Sequence, residues 1–323
     1  MFKVLSIDGG GIRGVIPAVL LSHLEKETGK SVAEMFDLIV GTSTGGILAA
    51  GYTVRNRHGK AKHSADDLLK LYSERGGEIF ARSTWCGFTS AWGAFDETYS
   101  HKPLEKLLQE YLGNAKLSRC IKPIVVTAYD IENREPYFFK TSAARNAEDR
   151  NHFLKDVARA TSAAPTFFEP KIVESLAEKP TRRALIDGGV FVNNPAMCAY
   201  VEAMSLRKES QEIFLLSLGT GVATRRIEYD DAKDWGKLGW VVPILSVMMD
   251  GEADAADYHL QQLLPDKSKG KQQRYFRLDT ELDVANDDMD DASAKNIKDL
   301  KAEAAQIIKK EAAQLKRLIG ALG

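Results

Sequence analysis

Cysteine is scarce. Cys86, Cys120 and Cys198 are the only three in 323 residues, and they are isolated from one another. No C-x-x-C occurs, and no cysteine–histidine cluster has zinc-ligand spacing. This excludes a disulfide-stapled scaffold and gives no metal or cofactor site; free thiols in a reducing compartment are expected. Long apolar runs are also missing. The longest notable one, Leu238 to Met249, falls short of the roughly 20 residues needed to span a bilayer. Charge bias is absent too: the net charge of −1 provides no electrostatic case for a nucleic-acid polymer as partner. No repeat of about 20–50 residues is visible. Strand-like residues begin at Phe2, leaving no room for the charged and apolar regions of a signal peptide, so a cytoplasmic location is expected.

Against these absences, residues 41–45 read Gly-Thr-Ser-Thr-Gly. They follow the apolar run 36–40 and precede the helix-like stretch Gly46-Ile47-Leu48-Ala49-Ala50. A G-x-S-x-G between strand and helix is a nucleophile elbow, holding the serine hydroxyl clear of the sheet at the helix's positive end. Ser43 is therefore the candidate nucleophile. The same pentapeptide without that context is an ordinary loop.

A second glycine cluster, Asp8-Gly9-Gly10-Gly11-Ile12-Arg13-Gly14, links the strand at 2–7 to a helical segment at about 15–28. Backbone N–H groups of Gly9, Gly10 and Gly11 at a helix start are candidates for an oxyanion hole. The loop also fits the dinucleotide fingerprint G-x-G-x-x-G. That reading wants an acid at the end of the second strand, about 20 residues on. Here that strand ends in Val40-Gly41-Thr42-Ser43, with no acid. Arg13 has two readings: gripping a phosphate bidentately, or bracing its own loop. Asp187-Gly188-Gly189 follows the short strand Ala184-Leu185-Ile186. Asp187 is the candidate general base for Ser43; as a plain turn, Asp-Gly would merely cap its own backbone.

These three motifs resemble the patatin-like phospholipase family. So do Ala160-Thr161-Ser162-Ala163-Ala164-Pro165-Thr166-Phe167-Phe168-Glu169-Pro170 and Leu215-Leu216-Ser217-Leu218-Gly219-Thr220-Gly221. The similarity runs in order from about residue 2 to 221 and weakens beyond. It implies an α/β/α sandwich and a Ser–Asp dyad hydrolysing acyl esters of phospholipids at a membrane surface, with peripheral membrane contact. The nucleophile then falls on Ser43, the aspartate on Asp187 and the oxyanion loop on Gly9, Gly10 and Gly11, with Arg13 beside the substrate. Some bacterial members of the family act in antiphage defence and are switched on by cyclic nucleotides, so a nucleotide activator is a further expectation. Arg225, Arg226 and Lys237, near Trp235 and Trp240, are its candidate contacts, and 222–270 is the candidate gate.

Strand-like runs near 2–7, 37–41, 122–128, 184–187 and 213–218 alternate with helical patterns, which predicts a three-layer α/β/α fold with a mainly parallel sheet. Residues 132–139 read as a polar turn into an antiparallel edge strand. No linker rich in Pro, Ser or Gly separates the motifs, so one domain over 1–323 is expected, with 222–323 as its C-terminal extension. An ordinary α/β-hydrolase orders its triad Ser, Asp, His. After Asp187 only His259 is left for that role, in a helix-like stretch. The aromatics Trp85, Phe88, Trp92, Phe95 and Tyr99 could line an acyl channel or pack in a core. The tail from Asn296 to Leu322 carries apolar residues at helical spacing, suited to packing on its own domain or to lying on a membrane.

Overall fold

The computed structural model describes residues 1–80, 99–265 and 273–323. Of the aromatics just named, Trp85, Phe88, Trp92 and Phe95 lie outside the described residues, whereas Tyr99 is buried.

Eight strands form one sheet: β1 (Phe2–Ile7), β2 (Leu38–Gly41), β3 (Ile124–Asp130), β4 (Glu135–Lys140), β5 (Lys171–Glu174), β6 (Arg182–Asp187), β7 (Ile213–Leu218) and β8 (Tyr275–Leu278). Their order is β5-β6-β3-β2-β1-β7-β8, with β4 also on β3. The five strands from β3 to β8 are mutually parallel. β4 runs antiparallel to β3, as the sequence suggests. Alternation along the strands separates two cores. Val4, Leu38, Val40 and Leu215 face the helix Ala196–Leu206. Leu5, Ile7, Ile39 and Leu216 face the layer built around the helices Val15–Thr28, Thr44–Thr53 and Ala65–Ile79. The result is the three-layer α/β/α sandwich.

The strand pairing positions the site. β2 pairs with β3 at Val126 through Gly41, and β6 pairs with β3 at Ala128 through Asp187. β4 spans both of those stretches on β3, so it must occupy the opposite edge. β2 and β6 therefore share one edge of β3 and run toward each other. Their C-terminal ends, one leading to Ser43 and the other ending in Asp187, meet head to head.

Two strands escape the sequence reading. β5 and β8 are four residues each, too short to show a period. The tail is helical over Ala294–Lys310 and Ala312–Leu322, broken at Glu311. Its Leu300, Ala304, Ile307 and Leu318 are buried in the core, so the face suited to a membrane is turned inward.

The elbow glycines are required by close approach. A Cβ on Gly45 would sit 2.7 Å from the Ile7 carbonyl carbon and 2.9 Å from the Asp8 carbonyl oxygen, both backbone atoms that cannot swing away. Gly45→Ala should therefore destabilise the protein by about 3 kcal/mol, at the upper end for overpacking. Urea unfolding reads this directly; an unchanged midpoint would mean the helix and glycine loop are not packed this closely.

Candidate active site

Ser43 opens the helix Thr44–Thr53 with φ 52° and ψ −121°, a conformation that side chains avoid. Three contacts hold it. Its N–H donates to Thr161 Oγ1 at 2.8 Å. Thr42 Oγ1 donates to the Val192 carbonyl at 2.8 Å. It also meets Thr127 Oγ1 at 2.8 Å. The Ala160–Pro170 motif thus acts through Thr161 and through Ala163, whose carbonyl accepts the Asp187 N–H at 3.0 Å.

Ser43 stands against the Asp187 carboxylate, where its hydroxyl favours the ionised form. Asp187 Oδ1 accepts the Gly189 N–H at 2.8 Å. Burial disfavours the charged carboxylate and pushes its pKa up to about 7, against the pull of the Ser43 hydroxyl and the Gly189 N–H. No histidine stands in between. His259 is exposed on the helix Lys237–Leu263, its ring against Tyr258. His101 pairs with Glu169, and His152 with Tyr137 and the Glu174 carbonyl.

The glycine loop corrects one expectation. Gly9 donates its N–H to the Asn193 carbonyl at 3.0 Å, so it has none to offer an oxyanion. Among the described residues, the N–H groups of Gly10 and Gly11 have no partner. Thr220 Oγ1 fixes the loop from behind by donating to the Gly9 carbonyl at 2.6 Å. Gly11 lies at φ 58°, where a side chain is disfavoured.

Of the two readings of Arg13, its surroundings favour bracing. It is buried, and its Nη1 donates to the Asp287 carbonyl at 3.4 Å. Burial lowers its pKa, while Asp250, Asp279, Asp287 and Asp8 oppose that shift. Arg13 braces the loop against the 287 segment.

The sequence reading missed an ionic cluster beneath the glycine loop. Arg277 Nη2 lies 2.7 Å from Asp8 Oδ2 and 2.6 Å from Asp279 Oδ2, and Nη1 donates to Ser217 Oγ at 2.9 Å. Burial opposes the guanidinium charge, but Asp8 and Asp279 outweigh it and hold its pKa above the ordinary range. Asp279 fits because Gly219 has no Cβ, and its Oδ1 accepts the Gly221 N–H at 2.9 Å. The one sequence signal was an arginine and an aspartate two apart in an apolar strand. Arg277→Met should cost about 3–5 kcal/mol, because Asp8 is left buried and unpaired. A loss below about 1 kcal/mol in urea unfolding would show that the cluster does not hold the loop.

Glu252 was also missed. It reaches from the helix Lys237–Leu263 to accept the Asn194 N–H at 2.8 Å. On the same helix, Met249 Cε lies 3.0 Å from where a Cβ on Gly189 would stand. Of the expected nucleotide contacts, Arg226 is exposed. Arg225 pairs with Asp287 and Asp288, and Trp235 packs edge-on against Trp240 at 5.1 Å. The Lys237 side chain lies outside the described residues.

Among the described residues no group of three His, Cys, Asp or Glu could hold a metal ion, and no helix is long and apolar enough to cross a membrane. An elbow serine set against a buried acid, beside a glycine loop on an α/β/α sandwich, is the arrangement of a serine ester hydrolase. Residues 5–200 match the family described as patatin-like phospholipase. Patatin-like protein 2 of Oryza sativa subsp. indica is 32% identical over 334 residues, covering 93% of this chain and 82% of the rice protein. Patatin-like protein 4 of Arabidopsis thaliana is 32% identical over 333 residues, with 93% and 82% covered. Patatin-04/09 of Solanum tuberosum is 30% identical over 335 residues, with 96% and 84% covered. The chain belongs to the patatin-like phospholipase family, whose members are lipid acyl hydrolases of the carboxylic ester hydrolase class.

Proposed function

We propose that this protein cleaves acyl esters of membrane phospholipids through a Ser43–Asp187 dyad. The observation that carries the reading is the strained elbow serine, Ser43, set against Asp187, a buried carboxylate held by the Gly189 N–H and pushed up to about 7 by burial. A base poised near the working pH both accepts and returns a proton without a large penalty.

Asp187 takes the Ser43 proton as Oγ bonds to the acyl carbon. The carbonyl oxygen becomes an oxyanion facing the free N–H groups of Gly10 and Gly11. As the intermediate collapses, the ester C–O bond breaks, and Asp187 returns the proton to the leaving alcohol, a lysophospholipid. The acyl group is now on Ser43. A water molecule gives its proton to Asp187 and its oxygen to the acyl carbon. Asp187 then reprotonates Ser43 Oγ as the fatty acid leaves. Atoms balance as ester plus water to acid plus alcohol.

The test is a fluorophosphonate reaction followed by mass mapping, alongside an assay of phospholipid vesicles for fatty acid and lysophospholipid. Label on Ser43 with both products released is the expected result. Label on another serine, or no release of fatty acid from any ester, overturns the reading.

A further inference from the structure

The helix Lys237–Leu263 buries Ala256 and Leu260 against the domain and carries a second apolar stripe on its outer side. Its outward residues recur as Trp240, Ile244, Val247, Met248, Gly251, Ala255 and Tyr258, all exposed and none charged. The spacing of 4, 3, 1, 3, 4 and 3 keeps them on one face. Trp240 is 37% exposed, Met248 52% and Tyr258 63%. Of its acidic residues, Glu252 turns inward to the Asn194 N–H and Asp257 accepts from Tyr275 Oη at 2.6 Å, while Asp250 and the exposed Asp254 border one side of the stripe. An ordinary amphipathic surface helix has polar residues in place of such an outer stripe.

We infer that the outer face of the helix Lys237–Leu263 is a lipid-docking surface that seats the enzyme on the bilayer holding its substrate. The inference rests on the phospholipase reading above. Position identifies the occupant. Met249 and Glu252, on the inner side of this helix, reach Gly189 and Asn194, beside the Ser43–Asp187 pair. Whatever covers the outer face is therefore about one helix diameter, roughly 10 Å, from the reacting bond. A phospholipid bilayer is the one body the reaction itself must bring that close. An exposed apolar stripe with a tryptophan is the pattern of a helix lying in the plane of a membrane surface.

The test uses full-length protein and vesicles of phosphatidylcholine with phosphatidylglycerol. Two readouts are taken: co-sedimentation, and hydrolysis compared with a soluble short-chain nitrophenyl ester. Ile244→Glu combined with Met248→Glu should weaken vesicle binding and vesicle hydrolysis at least tenfold and leave soluble-ester hydrolysis within about twofold. Ile172→Glu, an exposed apolar position on the edge strand β5, should change neither. Wild-type binding by the double variant, or no vesicle binding by the wild type, overturns the inference. So does a dimer that dissociates in the double variant while vesicle binding is unchanged, which would assign the face to a second copy. If the double variant also loses the soluble ester, the fold has been damaged. The milder pair Ile244→Ser and Met248→Ser is then judged by the same thresholds. Vesicle binding by a wild type that hydrolyses neither substrate would sink the phospholipase reading and leave the surface standing.

Discussion

Ser43→Ala should lower hydrolysis of vesicle phospholipid and of soluble esters by 10⁴-fold or more, with no loss of stability. Removal of a catalytic serine costs on this scale because the remaining groups can bind and polarise the ester but cannot form the acyl bond. The second half of the prediction comes from the backbone. At φ 52° and ψ −121°, Ser43 occupies a region that costs about 1–3 kcal/mol for any residue with a Cβ. Thr161 on its N–H, Thr42 on the Val192 carbonyl and the close pass of Gly45 past Ile7 keep it there. Alanine keeps that strain and glycine relieves it. Glycine also brings about 0.5–1 kcal/mol of extra entropy to the unfolded chain. Ser43→Gly should thus be inactive yet more stable than Ser43→Ala by about 1 kcal/mol in urea unfolding. Full activity in Ser43→Ala would remove the nucleophile assignment. Glycine less stable than alanine would mean the elbow holds no strain.

What the sequence made legible is local. Strand, tight turn and helix lie within about twenty residues at Ser43, and the same holds for the glycine loop. Asp187 could be placed at a strand end for the same reason. The arrangement that brings Asp187 to Ser43 is not local: β2 and β6 stand end to end on β3, a relation between segments about 140 residues apart. The Arg277 cluster is still less visible, since Asp8 and Arg277 come together only because β8 adds to β7, which lies on β1. Gly9 and Arg13 stand in the right motif, but the Gly9 N–H goes to the Asn193 carbonyl and Arg13 Nη1 to the Asp287 carbonyl, distant residues that no spacing rule announces. Motifs locate groups; only the fold decides which of those groups remain free.

Asp187→Asn is the second large effect, and pH separates it from a structural one. The carboxylate must be ionised to accept the Ser43 proton, and burial has raised its pKa to about 7. In the wild type, kcat/KM should therefore fall about tenfold per pH unit below 7 and level off above it. Asp187→Asn should lose about 10⁴-fold above pH 7 and lack the fall below it, so that its deficit narrows about tenfold per pH unit under 7, and His259→Ala should leave the wild-type profile unchanged. Stability should move the other way. An aspartate that titrates near 3.9 when unfolded and near 7 when folded binds its proton more tightly in the folded state. Its contribution to stability is fully present below about pH 4 and is lost as pH rises through 7. Asparagine stays neutral, and its oxygen can still accept the Gly189 N–H. The stability of Asp187→Asn relative to wild type should thus increase between about pH 4 and 8 while activity stays absent. An asparagine variant destabilised most at pH 8 would make Asp187 a structural carboxylate. Loss of the wild-type profile in His259→Ala would replace the dyad with a triad.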